Sequence, residues 1–208
     1  MALIGKNGIV LFQGDSITEN WRRQEDGSDL GIGYAQVIAA QYGFKHPDNN
    51  VTFLNRGVGG DRVPDLTRRW QKDCLDLKPT LVSIFVGIND TWRRYDENNP
   101  LSTEEFYTLY RNLLTVTKDR LDANMVLVEP FLLPVREEQR AWREDLDPKI
   151  QAVRQLAGEF GLPYVPLDGL FTAAASGTGP EYWSLDGVHP TAAGNGLIAE
   201  AWLKAVGA

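Results

Sequence analysis

The stretch Leu81-Val82-Ser83-Ile84-Phe85-Val86 decides the fold of this chain. It is apolar at every position except Ser83, and it is bounded by Pro79 and Gly87, which interrupt regular structure. A short apolar run without alternation is typical of a strand that is buried on both faces. Because such strands occur almost only in parallel sheets that carry helices on both sides, the sequence predicts a covered parallel sheet.

Four further apolar runs are separated by stretches with helical spacing. The runs are residues 8–12, 51–54, 125–128 and 164–167, and the helical stretches are residues 34–42, 63–74, 102–120, 143–160 and 191–206. This alternation predicts an α/β fold, a three-layer α/β/α sandwich with a five-stranded parallel sheet, with residues 1–208 as a single domain. A barrel of eight strand–helix units is the alternative, but that fold usually needs about 250 residues. Residues 169–180 are small and polar, and we expect a surface loop there.

Composition and charge weigh against two classes of partner. The formal net charge is −7, whereas nucleic acids and anionic membranes attract basic surfaces, so we expect neither as a partner. No apolar stretch approaches the length of a membrane span. Cys74 is the single cysteine, which precludes an internal disulfide and suits a reducing compartment. The first residues are too few and too polar for a signal peptide, so we expect a cytoplasmic protein.

Polar and glycine-rich loops follow the first three predicted strands along the chain. They are Gly14-Asp15-Ser16, residues 57–61 and Gly87-Ile88-Asn89-Asp90. Ligands of open α/β sheets bind beyond the carboxyl ends of the strands, near the point where the strand order switches. We therefore expect these loops to converge on one site.

Ser16, Asp186 and His189 are the candidate catalytic residues. A serine hydroxyl is a poor nucleophile until a base takes its proton, and the base needs a third group to fix its tautomer. In Asp186-Gly187-Val188-His189 a carboxylate precedes an imidazole by three residues. Each residue also has an ordinary structural interpretation, since Ser16 could cap a helix and His189 could bind backbone at a helix entry. Their joint occurrence favours a catalytic triad.

Acyl transfer also needs hydrogen-bond donors that face the developing oxyanion. The side-chain amide of Asn89 and the backbone N–H groups of Gly60 and Ser16 are the candidates for this oxyanion hole. We expect no metal and no cofactor, because the chain has only two histidines and its acidic residues near the site do not follow a familiar ligand spacing.

Four segments in this order resemble the conserved blocks of the GDSL esterases, also called SGNH hydrolases. The segments are Gly14-Asp15-Ser16-Ile17, Asn55-Arg56-Gly57-Val58-Gly59-Gly60-Asp61, Gly87-Ile88-Asn89-Asp90 and Asp186-Gly187-Val188-His189-Pro190. The resemblance implies a flavodoxin-like sandwich, Ser16 as nucleophile, Gly60 and Asn89 as oxyanion donors, and Asp186 and His189 as acid and base. The chain departs from the family pattern at Ile17, where leucine is usual, at Gly59, where serine is common, and at Arg62, where threonine is common.

Residues 78–96, which end in Trp92-Arg93-Arg94-Tyr95-Asp96, resemble more narrowly the branch that contains intracellular bacterial acetylxylan esterases. This resemblance implies an esterase that removes acetyl groups from O-acetylated carbohydrates such as xylo-oligosaccharides, and it implies a homo-oligomer. Two alternatives stay open. One is a broad short-chain esterase, thioesterase or lysophospholipase of the same family, and the other is a carbohydrate-binding protein without catalysis.

Asp15, Trp92 and Trp183 are candidate substrate contacts. Aromatic faces pack against sugar rings, but tryptophans also fill core edges and subunit interfaces. The tryptophans that we expect in loops or at element ends are Trp21, Trp92, Trp142 and Trp183. Trp92 and Trp183 are favoured because each lies close to a catalytic segment. We expect Asp15 mainly to brace its loop by accepting backbone N–H bonds, and residues 131–147 to form a pocket wall or an interface.

Overall fold

The computed structural model describes residues 2–208 and contains a five-stranded sheet. Its strands are β1 (Ile9–Gly14), β2 (Thr52–Asn55), β3 (Leu81–Phe85), β4 (Asn124–Val128) and β5 (Tyr164–Val165). They lie in the order β2-β1-β3-β4-β5, and each neighbouring pair is parallel. This order is the flavodoxin-like one.

Helices cover both faces of the sheet. Within residues 2–208 they are α1 (Ser16–Glu19), α2 (Tyr34–Lys45), α3 (Val63–Asp73), α4 (Ile88–Asp96), α5 (Thr103–Arg120), α6 (Arg143–Phe160), α7 (Leu167–Thr178) and α8 (Ala192–Val206). α2 and α8 pack together over one face, and α3, α5 and most of α6 cover the other. The predicted three-layer α/β/α sandwich is confirmed. No helix in the described part of the chain is both long enough and apolar enough to cross a bilayer.

The central strands are buried on both faces because their side chains enter two separate hydrophobic cores. Along β1, Val10 and Phe12 pack into the core beneath α2 and α8, whereas Leu11 packs into the core beneath α3 and α5. Ser83, the one polar residue in its apolar run, accepts a hydrogen bond of 2.9 Å from Nε1 of the fully buried Trp202 in α8. A strand with no polar face therefore tolerates this hydroxyl, because it is paired.

The strand order brings the candidate loops together. β1 lies between β2 and β3. The chain therefore adds β2 on one side of β1 and then β3 on the other side, so the strand order switches direction at β1. Ser16 is the first residue of α1, which follows β1, and Asn89 is the second residue of α4, which follows β3. Both emerge at the carboxyl edge on either side of the reversal, where a crevice forms in folds of this kind.

The expected surface loop over residues 169–180 is wrong, because most of it belongs to α7. Phe171 is fully buried and stacks on Phe131 with ring centroids 4.1 Å apart, which fixes this segment against the core. The run Ala173-Ala174-Ala175 consists of the residue with the highest helix propensity. Packing and alanine content thus outweigh the glycines at positions 169 and 177.

Candidate active site

Ser16 lies where β1 turns into α1. A Cβ on Gly14, the last residue of β1, would meet the carbonyl oxygen of Phe85 at 2.3 Å, so the strand can end this close to β3 only with glycine. Asp15 then caps α1, because its Oδ1 accepts a hydrogen bond of 2.9 Å from the N–H of Ile17. Ser16 is the first residue of α1, where backbone N–H groups have no partner within the helix.

Ser16, His189 and Asp186 form one hydrogen-bonded row, although 173 positions separate Ser16 from His189. Ser16 Oγ lies 2.9 Å from His189 Nε2, and His189 Nδ1 lies 2.7 Å from Asp186 Oδ2. With its proton on Nδ1, the imidazole can accept the serine proton at Nε2 while Asp186 holds its orientation. The structure thus brings together the three residues that the sequence singled out.

The charges of this row are set by hydrogen bonds. Burial opposes ionisation of Asp186, but the bonds from the His189 ring and from the N–H groups of His189 and Val188 outweigh it and lower the pKa of Asp186 to about 2. The bond to Asp186 in turn raises the pKa of His189 above its usual value, while burial acts in the opposite direction. Asp186 is therefore a stable carboxylate, and it favours a proton on His189.

The loop that carries Asp186 and His189 closes on itself. Ser184, which is fully buried, accepts a hydrogen bond of 2.9 Å from the N–H of Gly187 and donates one of 3.1 Å to the carbonyl of His189. The N–H of Leu185 donates to the same carbonyl at 2.8 Å. These bonds fix the backbone on both sides of the carboxylate and the imidazole.

Gln139 anchors this loop through its side-chain amide. It is fully buried in the 3₁₀ turn Glu137–Trp142, and its Nε2 donates to the carbonyl of Asp186 at 2.7 Å. Its Oε1 accepts bonds from the N–H groups of Val135 and Arg136 at 3.0 and 3.1 Å. Gly187 leaves room for this amide, since a Cβ there would lie 2.7 Å from Oε1 of Gln139. Residues 131–147 thus support the acid–base loop, a role that sequence reasoning missed because a lone glutamine carries no motif.

The other two loops reach the same place. Asn89 is only 2 % exposed, and its Nδ2 donates to the carbonyl of Asp61 at 3.2 Å. An amide nitrogen carries two hydrogens, so a second one remains for a ligand. Gly60 is exposed and has a φ of +82°, and a Cβ on its neighbour Gly59 would lie 3.8 Å from the Cβ of Ser16. Gly60, in the loop after β2, and Asn89, in the first turn of α4, therefore both lie beside the turn that carries Ser16.

Two arginines that sequence reasoning missed tie these loops to the strand ends. Arg69 of α3 donates to Asp61 Oδ2 at 2.7 Å and to the carbonyl of Gly14 at 3.2 Å. Arg22, which is 7 % exposed, donates through Nε and Nη2 to the carbonyl of Gly57 at 3.1 and 2.8 Å. An arginine in a sequence suggests surface charge, and only the folded chain reveals that these guanidinium groups bind backbone carbonyls.

A cleft of about 580 Å³ opens beside the row. Its lining includes Ser16, Asp186 and His189 together with Glu19, Trp21 and Leu185. This volume lies within the range of pockets that hold small-molecule ligands. The site is thus accessible from solvent next to the serine hydroxyl and the imidazole.

The tryptophans occupy different places than expected. Trp92 lies in α4, not in a loop, and its ring centroid is 6.2 Å from that of His189 and 5.4 Å from that of the buried Trp142. Trp183 is half-buried, and its Nε1 donates to Thr178 Oγ1 at 2.8 Å. Trp21 lines the cleft and is 87 % exposed. Trp92 and Trp183 are not part of the lining of this cleft.

Asp15 as a substrate contact is corrected by the structure. Its side chain is fully buried, so it cannot reach a molecule in the cleft. Its bond to the N–H of Ile17 is the bracing contact that the sequence led us to expect. Its Oδ2 is buried without a hydrogen-bond partner among residues 2–208, and burial raises the pKa of Asp15 to about 7. Within the same residues, no three His, Cys, Asp or Glu side chains gather as a metal site.

Comparison with protein families decides the classification. The model of the GDSL-like lipase/acylhydrolase family matches residues 12–197. The chain belongs to this family. The match spans Ser16, Gly60, Asn89, Asp186 and His189, so the candidate catalytic residues of this GDSL hydrolase all lie inside it. The enzyme is a carboxylic ester hydrolase.

Individual relatives of this GDSL hydrolase agree over nearly the full length. The acetylxylan esterase of Geobacillus stearothermophilus is 32 % identical, with 98 % of this chain and 96 % of the relative covered. The crystal structure of a catalytic mutant of that enzyme, Axe2, superposes with a TM-score of 0.92 at 31 % identity over 99 % and 96 % of the chains. A GDSL-like lipase from Parabacteroides merdae gives a TM-score of 0.94 at 34 % identity over 98 % and 97 %.

Gln139→Ala should lower kcat by roughly 10- to 100-fold with little change in KM, because small displacements of catalytic groups cost about this much. The side chain does not line the cleft, so substrate binding is unaffected. Gln139→Glu keeps the shape but places an oxygen against the Asp186 carbonyl, and it should not rescue the rate. The measurement is steady-state hydrolysis of 4-nitrophenyl acetate. Gln151→Ala, on an exposed position of α6, is the control, and a Gln139→Ala enzyme with the kcat of wild type would contradict the role of Gln139.

The free energy of unfolding should fall as the pH rises from 5 to 8. Burial raises the pKa of Asp15 to about 7 and that of Asp90 to about 8. The unfolded carboxyls release their protons near pH 4, so between that pH and the folded pKa the folded state binds more protons. Over this range its stability falls by about 1.4 kcal/mol per pH unit for each such carboxyl. The raised pKa of His189 acts in the same direction at the upper end of the range. The lowered pKa of Asp186 adds stability that is lost only below pH 4.

Urea unfolding at pH 5, 6, 7 and 8 measures this slope. Asp15→Asn keeps the cap oxygen but cannot ionise, so its slope should be shallower than that of wild type. Asp119→Asn, on an exposed position of α5, should leave the slope unchanged. Equal slopes for wild type and Asp15→Asn would show that Asp15 titrates at an ordinary pKa.

Proposed function

We propose that this enzyme removes acetyl groups from O-acetylated carbohydrates, xylo-oligosaccharides or similar, through an acyl-enzyme intermediate on Ser16. The observation that carries the proposal is the hydrogen-bonded row from Ser16 through His189 to Asp186, which borders an open cleft. Ser16 is the nucleophile, His189 the general base and Asp186 the group that orients the imidazole and stabilises its cation.

In the first step Ser16 Oγ attacks the ester carbonyl carbon while its proton passes to His189 Nε2. The carbonyl oxygen becomes an oxyanion, which accepts hydrogen bonds from the N–H groups of Ser16 and Gly60 and from the side-chain amide of Asn89. The C–O bond to the alcohol then breaks, and the alcohol oxygen takes the proton from His189. The acetyl group is left on Ser16, and the sugar leaves with a free hydroxyl.

In the second step water replaces the alcohol. His189 removes a proton from the water, whose oxygen attacks the acetyl carbonyl, and the same donors bind the second oxyanion. The bond to Ser16 breaks, its oxygen recovers a proton from His189, and acetate is released. Each step returns the imidazole to its neutral state, which it must have to act as a base.

The relatives and the charge of the cleft support a carbohydrate ester. One relative is an acetylxylan esterase, and solved structures of Axe2 are described as those of an acetyl-xylooligosaccharide esterase. Glu19 and Asp186 place two carboxylates at the cleft against the single guanidinium of Arg22, so the lining is negative when the imidazole is neutral, and the chain carries a net charge of −7. This charge repels the phosphates of coenzyme A thioesters and phospholipids, whereas a neutral sugar ester meets no such repulsion.

We also propose that the protein is a cytoplasmic homo-oligomer. Ile32 and Phe44, which are 73 % and 88 % exposed, support association, because large apolar side chains on a surface often mark contacts between chains. Sedimentation equilibrium tests the state directly, since an oligomer gives a multiple of the chain mass of 23.2 kDa.

Ser16→Ala should abolish acetate release from acetylated xylo-oligosaccharides and from 4-nitrophenyl acetate, because the nucleophilic oxygen is gone. We expect a loss on the order of 10⁵-fold or more in kcat, with an unchanged circular dichroism spectrum. Ser176→Ala, on an exposed turn of α7, is the matched control. A fully active Ser16→Ala enzyme would exclude the acyl-enzyme mechanism, and a preference for long acyl chains over acetate would favour a lipase-like substrate instead.

Asn89→Ala should lower kcat by roughly 10²- to 10³-fold, the usual effect of losing one oxyanion donor. KM should change little, because the donor acts on charge that develops after binding. Single-turnover kinetics with 4-nitrophenyl acetate measure the acylation step, and thermal unfolding shows whether loss of the bond to the Asp61 carbonyl disturbs the fold. Asn112→Ala, at an exposed position of α5, is the control. An undiminished rate would remove Asn89 from the oxyanion hole.

A further inference from the structure

The chemistry of the proposed reaction determines which side of the site receives the sugar. The leaving oxygen takes its proton from His189 Nε2, so the alcohol part of the ester has to lie against the imidazole. The cleft is lined by His189 and Ser16, whereas Gly60 and Asn89, two of the three proposed oxyanion donors, are not part of its lining. The cleft therefore extends from the catalytic row on the side of the alcohol.

Trp21 stands in this cleft with most of its surface in solvent. It is 87 % exposed, and Leu185, which precedes Asp186, is 73 % exposed and lines the same cleft. A single exposed apolar side chain needs no explanation. Trp21 and Leu185, however, line one cleft together with the proposed nucleophile and its base. They form an apolar surface at the place where a substrate has to bind.

The backbone presents Trp21 in a conformation that side chains rarely adopt. Asn20 and Trp21 have φ values of +37° and +64°, in the left-handed region. The N–H of Asn20 donates to the carbonyl of Ser16 at 3.0 Å, and the N–H of Ile32 donates to the carbonyl of Asn20 at 2.9 Å. A Cβ on Gly33 would lie 2.6 to 2.7 Å from atoms of the Asn20 side chain, so this glycine makes room for it.

The residues on both sides of Trp21 anchor the turn that carries it. Asn20 precedes it, and Arg22 follows it with two hydrogen bonds to the carbonyl of Gly57. The backbone that carries the indole is thus anchored on both sides, since the N–H of Arg22 also donates to the carbonyl of Glu19 at 3.0 Å. An anchored backbone lowers the conformational entropy that is lost when its side chain binds a ligand.

A polar acceptor completes the surface. Glu19 lines the cleft, and one of its carboxylate oxygens accepts a bond from Gln24. The other oxygen points towards Gly59, because it lies 2.7 Å from the position of a Cβ there. A pyranose ring offers C–H groups on its faces and hydroxyls around its rim. An aromatic face packs against the former, and a carboxylate accepts hydrogen bonds from the latter.

We infer that Trp21, with Glu19 and Leu185, forms a subsite for the sugar ring that carries the acetyl group or for its neighbour in the oligosaccharide. This inference rests on the proposed function and names the residues that give it specificity for carbohydrate. Trp21 contributes to binding the sugar and not to the acyl-transfer chemistry, so small acetyl esters do not depend on it.

Trp21→Gly is the variant that tests the subsite. Glycine adopts a φ of +64° without strain, so the variant should unfold at the same Tm as wild type or a higher one. We expect kcat/KM for acetylated xylo-oligosaccharides to fall about tenfold, mainly through KM, the size of effect that loss of one aromatic packing contact produces. Hydrolysis of ethyl acetate, whose small alcohol part offers no ring to pack on the indole, should change less than twofold, and Trp21→Phe should recover part of the loss.

Phe44→Ala is the matched control, because Phe44 is equally exposed but lies in α2 and does not line the cleft. It should leave both activities unchanged. If Trp21→Gly hydrolyses the sugar ester like wild type, the subsite is wrong. A changed sedimentation mass of Trp21→Gly without a kinetic effect would instead assign Trp21 to a subunit contact. If wild type hydrolyses 4-nitrophenyl acetate but no acetylated oligosaccharide, the proposed substrate class fails and the sugar subsite fails with it.

Discussion

The hydrogen bond of 2.9 Å between Ser16 Oγ and His189 Nε2 joins the first turn after β1 to a loop near the end of the chain. An imidazole can activate a serine only when its nitrogen lies within hydrogen-bond distance of the hydroxyl. The elements between these two residues therefore have to fold so that they meet. Gly14 permits β1 to end close to β3, and Asp15 caps the short helix that begins at Ser16. Gln139 anchors the loop of His189 through its bond to the carbonyl of Asp186. These buried polar contacts hold Ser16 Oγ and His189 Nε2 at hydrogen-bond distance.

The architecture follows from patterns that the sequence displays openly. The apolar runs around Val10, Val82 and Val126 lack alternation because both of their faces are covered, and the strand order places the polar loops at one edge. Ser16, Asp186 and His189 were predictable together because their chemistry constrains residue type and order. Asn89 and Gly60 were predictable as candidates because they follow strands at that edge.

Other features depend on tertiary contacts that leave no local pattern. α7 could not be read from Gly169 and Gly177, since Phe171 and its core contacts hold that helix. The role of Gln139 depends on a carbonyl 47 positions away. The exposed position of Trp21 belongs to a turn with positive φ values, which is accompanied by hydrogen bonds from Asn20 to Ser16 and from Ile32 to Asn20.

The separation of Ser16 and His189 along the chain has a consequence for biosynthesis. A ribosome delivers β1 and the nucleophile turn first, whereas Asp186, His189 and α8 emerge among the last residues of this sequence. Because domains acquire their structure as units and α8 packs against α2, the proposed nucleophile lacks its base until residues 186–189 and α8 have been synthesised. Under the proposed mechanism, ester hydrolysis therefore begins only after this segment has packed onto a sheet whose five strands all precede it.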